Sequence, residues 1–375
     1  MSELRYPLLY GVETVQNGCN FYRIKQPVGH LIEKGLYDGA ITSYLVPKDH
    51  ELWLGKADLI VTQVGTSEKF VEYMIDEKPH GRKFVIDYDD NLFCVSPLNP
   101  SYLHHGQREV DISIPSGFTI KVRDGENGFD LKANRRRIET FKEALRNADL
   151  VTTPSPALAE EYKKYSSNVR VLKNLVDMKL FAPLPLAKDE YVRIGWQGGW
   201  SHYEDFVLIQ SVLERIMHKF KNVILIICGT PFEGVLKNLP KERIQLETWT
   251  SVETYPWKFK GLNIDIGIAP LIESTFNDCK SEIKWEEYSA LKIATVASQT
   301  GPYARAIDHE KTGLLAKNDD EWVEYLSRLI KDVKYRKKLA KQAHEHVKAN
   351  YGLESNIGIY DKAYKSLYKP ELIIV

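Results

Sequence analysis

The chain reads as an α/β protein of two doubly wound domains, on three observations. Apolar, β-branched runs of strand length alternate with helical stretches along both halves. At 375 residues there is room for two such domains, each with a sizeable core. Between them runs APLPLAKDE (182–190), whose Pro183 and Pro185 suit an extended crossing. The expected division is a first domain over 1–182, a second over 183–352 and a terminal helix in 353–375.

Tyr6–Val12 is the first predicted strand, followed by a loop holding Gly18 and a helix over Phe21–Lys34. A glycine-containing loop between first strand and first helix is what a Rossmann-like domain offers a ligand. Ala57–Val64 is the next strand, Glu68–Glu77 a helix, and Lys83–Ile86 a strand running into DYDDNLF. Asp87, Asp89 and Asp90 thus lie at the C-terminal end of a strand, the edge where α/β sites form; the plain alternative is that they cap the next helix.

Residues 96–130 are irregular and too long for an ordinary connection, and VDISIPSGFTIKVRDGENGFDL within them predicts a small hairpin. They are read as an insertion in the first domain. A helix over Leu131–Asn147 carries Arg135–Arg137, a run that reads as a solvated face. Strand Ala148–Pro154, helix Ala157–Tyr165 and strand VRVL complete the half.

The second half opens with strand Ile194–Gln197, leading into Gly198–Gly199 and a helix over Tyr203–Lys219. Glycines there permit close backbone approach to a phosphate, and the helix N-terminus adds partial positive charge. Val223–Gly229 is a central strand, its following loop beginning at Thr230. After strand Ile244–Leu246, the stretch TWTSVETYPW offers Trp249 and Tyr255 either to stack on a base or to serve as core or rim.

Strand Ile264–Ala269 ends at Pro270, and a polar loop, ESTFND, leads to a helix predicted over Lys280–Leu291 and strand Ile293–Ala297. Lys280, Ser281 and Lys284 then share the first helical turn, with Glu287 one turn further. Cations and free N–H groups suit a diphosphate, and a carboxylate suits ribose hydroxyls. Helices over Asp320–Leu329, Lys334–Asn350 and Glu354–Leu367 close the chain.

The run PL-x(4)-FN-x(2)-KS-E-x-K-x(2)-E-Y-x-A, then VAS-x(2)-GPY and HEKTGLLA, resembles the donor half of retaining GT-B glycosyltransferases, closest to the family-four-like group 1 enzymes. The resemblance extends to G-G-W-S-H-x(2)-D-F, to the NxxD of Asn174 and Asp177, and faintly to GCNFYRIKQPVGHL. It implies two Rossmann-like domains facing across a cleft, with the last helix returning to the first. It implies transfer of a sugar from a nucleotide donor, here expected to be UDP-linked, to a hydroxyl acceptor with retention of configuration. Gly198, Gly199, His202, Thr230, Trp249, Lys280, Ser281, Lys284 and Glu287 would bind the donor. Lys280, Asp89 and Asp90 would act in catalysis, and Gly18 and Arg23 would lie on the acceptor side.

One departure stands out. The group's Glu-x7-Glu signature keeps its second glutamate as Glu287, but Cys279 replaces the first, with Asp278 beside it as a substitute. A rival use of Asp87 and Asp89 is the D-x-D metal pair of GT-A glycosyltransferases. The downstream donor pattern favours the GT-B reading, which expects no metal and no cofactor beyond the donor substrate.

Other readings remain open: a phage-type glycosyltransferase acting on modified DNA bases, a GT-B sugar-nucleotide epimerase, and a nucleotide-sugar binder without catalysis. Basic and acidic residues number 51 each, which argues against a broad electrostatic footprint on DNA and favours a glycan acceptor. The four cysteines have no metal-type spacing, and no apolar run approaches a membrane span, so a cytoplasmic location is expected.

Overall fold

A computed structural model describes residues 7–13, 17–43, 46–113, 119–185, 189–251 and 253–368. It forms two compact units. The first comprises residues 1–93, 130–175 and 353–375, and the second 94–129 and 176–352.

The first unit carries β1 (Leu9–Glu13), β2 (Gly39–Ser43), β3 (Leu59–Thr62) and β4 (Lys83–Asp87). The second holds β5 (Val110–Ser113) and β6 (Thr119–Val122), an antiparallel hairpin. The first resumes with β7 (Leu150–Thr153) and β8 (Val169–Val171). These last two join the first four in one sheet, ordered β2-β1-β3-β4-β7-β8 and parallel throughout. Residues of β3 and β7 are buried on both faces, which is why LIVT and LVTT are continuous rather than alternating. Helix Glu68–Glu77 starts where Ser67 accepts from the Phe70 N–H, and Leu131–Asn147 where Asp130 accepts from the Ala133 N–H. The terminal stretch supplies Leu353, Ile357, Tyr360, Ala363 and Tyr364 to this unit's core, beside Leu9, Ile24 and Leu31.

In the second unit, β9 (Val192–Gly198), β10 (Val223–Gly229), β11 (Ile244–Glu247), β12 (Ile266–Ala269), β13 (Ala294–Ser298) and β14 (Leu314–Ala316) form another parallel sheet. Its order, β11-β10-β9-β12-β13-β14, is the dinucleotide-fold order, with the reversal between β9 and β12. A ligand crevice belongs outside the carboxyl ends of those two strands.

Three of the boundaries that differ from expectation bear on the site. Residues 94–129 group with the second unit rather than the first; Ser96 there donates from Oγ to Glu204 Oε2 at 2.6 Å. The helix expected over Tyr203–Lys219 is two, Tyr203–Leu208 and Gln210–Lys219, broken at Ile209, which is wholly buried. The helix expected from Lys280 begins at Ile283. Ser274 instead caps a short turn over Thr275–Asp278, and the Lys280 N–H is spent on Asn277 O. Strand β2 and helix Pro47–Lys56 carry no strong periodicity and were not anticipated.

Candidate functional site

In the second unit, the elements leaving β9 and β12 bring together most of the predicted donor residues. The end of β9 is shaped by close packing: a Cβ on Gly198 would lie 2.5 Å from the Trp196 ring. Gly229, ending β10 at φ +120°, leaves room for Gly198 O, which a Cβ there would meet at 2.3 Å. The Trp249 ring lies over Gly229 and Gly199 and is 57% exposed, an aromatic face presented at the carboxyl edge of the sheet. Thr230 donates its N–H to Gly198 O, while its buried hydroxyl has no hydrogen-bond partner among the described residues.

His202 and Asp205 lie three residues apart at the start of the next helix, so their side chains meet. His202 Nδ1 is 2.7 Å from Asp205 Oδ2, and its Nε2 is 2.9 Å from Lys284 Nζ. Asp205 is buried, its other oxygen accepting from the Ile272 N–H at 2.8 Å and from Asn277 Nδ2 at 3.2 Å. A carboxylate so placed accepts a hydrogen bond from Nδ1–H, and Nε2 is left as the acceptor for the lysine. Burial first, then the neighbouring Lys284, pushes the imidazole pKa down to about 4. His202 is therefore neutral here and does not by itself supply the positive charge expected of it. That charge resides on the ammonium of the buried Lys284 and on Lys280, whose Nζ lies over the Phe276 ring at 4.6 Å.

Lys280 and Ser281 precede the helix rather than sharing its first turn. Glu287, on the helix itself, is buried; its Oε2 accepts from Gln197 Nε2 at 2.9 Å and from Tyr255 OH at 3.0 Å. The carboxylate is thus fixed from β9 and from helix Tyr255–Gly261 together. Cys279, at the broken signature position, is buried. Asp278 is engaged with Arg305 at 2.6 Å, which also binds its carbonyl, so it is not poised as the expected substitute.

Arg23, assigned to the acceptor side, is fully buried. Its Nε and Nη2 donate to the two oxygens of Asp87 at 3.0 and 2.6 Å, and Nη1 to Leu172 O and Asn174 Oδ1. Thr152 Oγ1 donates to Asp87 as well, at 2.6 Å. With both oxygens occupied by a bidentate arginine, Asp87 does not offer the first carboxylate of a D-x-D metal pair. Gly18 opens the short helical turn after β1 and is exposed.

Asp89 sits partly buried beyond the end of β4. Burial, then the adjacent Asp90, raises its carboxyl to about 6, against a lowering hydrogen bond from Cys19. The Asp90 carbonyl accepts from Tyr162 OH at 2.6 Å. The arginine run is a surface feature: Arg136 pairs with Glu68, and Arg137 Nη1 donates to Asn134 Oδ1.

Sequence reasoning did not single out Asp205, Gln197 or Asn277. The spacing of His202 and Asp205 is a usable signal for the first, and Asn277 stands in the FN of the quoted motif; Gln197 is joined to the site only by the fold.

Two Rossmann-like units, each on a six-stranded parallel sheet, define the fold as GT-B. Among solved structures, sucrose-phosphate synthase from Thermosynechococcus elongatus is similar with a TM-score of 0.66 at 15% identity, covering 97% of this chain and 99% of that one. HepE of Anabaena, in complex with UDP-glucose, gives 0.66 at 13% identity, over 96% and 100% of the two chains. A glycosyltransferase from Rickettsia africae gives 0.64 at 14%, over 98% and 99%. No protein-family model matches the chain, and no curated protein matches it. At these identities the likeness establishes the fold. No helix among the described residues is long and apolar enough to cross a membrane.

Proposed function

We propose that this protein is a glycosyltransferase that takes a sugar from a nucleotide donor, UDP-linked, and passes it with retention to a hydroxyl of a glycan. The observation that carries the reading is the cluster at the β9–β12 reversal: Lys284, oriented by His202 and Asp205, with Lys280 on the preceding turn and Glu287 fixed by Gln197 and Tyr255. Cations at that point suit a diphosphate, the anchored carboxylate suits ribose hydroxyls, and the Trp249 face suits a base. UDP-glucose bound to HepE, a chain of the same fold, supports the choice of base.

The chemistry assigned to the cluster is electrostatic. As the glycosidic bond breaks, charge gathers on the β-phosphate, and Lys280, Lys284, the Ser281 hydroxyl and the N–H groups of Gly198–Gly199 stabilise it. The departing phosphate accepts the acceptor's proton. Asp89, near pKa 6, is given a hydroxyl to hold. The scheme calls for no metal and no further cofactor.

A thermal-shift screen against nucleotide sugars, with EDTA and with manganese, tests the donor assignment. A shift with a UDP-sugar in EDTA is expected. A shift that needs manganese overturns the metal-free scheme, and no shift with any donor overturns the donor site. Proton NMR of the first product bond tests retention: an anomer opposite to the donor's overturns it.

A further inference from the structure

We propose that His202 is a latent third cation of the anion site, protonated only when a diphosphate binds. The arriving phosphate draws the Lys284 ammonium away from Nε2, and Nε2 takes one proton from solvent and donates it in a hydrogen bond to a phosphate oxygen. No bond of the donor is broken in this step. The inference rests on the donor reading above and adds a proton to it.

The geometry supplies both halves of the exchange. At 2.9 Å the Lys284 ammonium, which can only donate, meets a lone pair on His202 Nε2, and that is the neutral ring. Asp205, buried and 2.7 Å from Nδ1, is placed to stabilise the charged form once it appears. The charged groups acting on the ring are Lys284 and Lys280 on one side and Asp205 on the other. Burial first, then Lys284 and Lys280, holds its proton affinity down. A diphosphate offsets both lysines and leaves Asp205 as the dominant neighbour, so affinity for the proton rises on binding. The two other polar contacts to Asp205, from Ile272 N–H and Asn277, keep it in place as the charge on the ring changes.

Calorimetric titration of the full chain with UDP-glucose reads this directly. Both phosphates of that probe are esterified, so it carries no group of its own titrating near neutrality. Heats measured in two buffers of different ionisation enthalpy should reveal uptake of a fraction of a proton that grows as pH falls from about 8 to about 6. Affinity should strengthen over the same interval, by no more than about tenfold per pH unit. His202→Gln keeps an acceptor for Lys284 and a donor for Asp205 but cannot gain a proton; it should bind about threefold to tenfold more weakly and take up none. Absence of uptake in the wild type, or equal uptake in His202→Gln, overturns the proposal while leaving the donor reading intact. Failure of UDP-glucose to bind at all overturns both.

Discussion

The same residue type in the same kind of place does opposite things in this chain, and the partner each side chain finds decides which. Asp87 and Asp89 are two residues apart at the end of β4. Asp87 is locked against a buried arginine, whereas Asp89 keeps a carboxyl raised to about 6. Breaking a buried pair leaves an uncompensated charge, so Asp87→Asn should lower unfolding free energy by about 3–5 kcal/mol in urea titrations. A metal ligand would instead lose manganese binding at little cost in stability. For Asp89 the sign runs the other way. Its folded pKa, about 6, lies above the ordinary 3.8, so the folded state holds its proton more tightly and loses stability as pH rises through that interval. Asp89→Asn should therefore be more stable than the wild type above about pH 6, the difference closing below about pH 4. Lys280→Ala should cut transfer by at least about tenfold with little change in melting temperature, because the side chain is not part of the core. A collapse in stability with normal activity per folded molecule would remove Lys280 from the site. The sequence placed Arg23 and Asp87 near a functional edge but could not show that they satisfy each other, since 64 residues separate them.

At the scale of elements, what the sequence made legible was periodic. Helices Glu68–Glu77 and Leu131–Asn147 and strand β10 have the limits their patterns predict, because caps and apolar spacing are local properties. The helix carrying Glu287 is buried along nearly its whole length and so shows little amphipathic pattern to mark its start. Its true beginning is set by the turn capped by Ser274 and by backbone bonds across Asn277 and Lys280, which no periodicity reports. Of the glycines in the donor half, Gly229 is the most exacting: left-handed backbone, a carbonyl in the way of any Cβ, and the Trp249 ring 2.9 Å from it. Gly229→Ala should cost about 1–3 kcal/mol and displace the indole. Loss of stability together with weaker nucleotide binding, read by tryptophan fluorescence quenching, is the expected result; an unchanged quenching curve would detach Trp249 from the base.

For the whole molecule, the two sheets and their parallel order followed from alternating strands and helices, but the division of the chain between units did not. Residues 94–129 lack regular patterning, and their allegiance depends on tertiary contacts such as that of Ser96 with Glu204. The terminal stretch shows the same dependence from the other side. Truncation after Gly352 would strip Tyr360, Tyr364, Ile357 and Leu353 from the first unit's core. Each large buried side chain removed costs about 2–5 kcal/mol, so the truncated chain should show loss of the native unfolding transition of that unit by calorimetry. Both units are assembled from separated stretches, and 353–368 follow the whole of the second unit along the chain. On a ribosome, the first unit's opening strands therefore emerge long before the helix that seals them. Their apolar edges must wait through synthesis of well over half the protein, at about 5–20 residues per second. The second unit can close first, and a nascent chain stalled short of residue 353 should expose the first unit to chaperones while the second already resists protease.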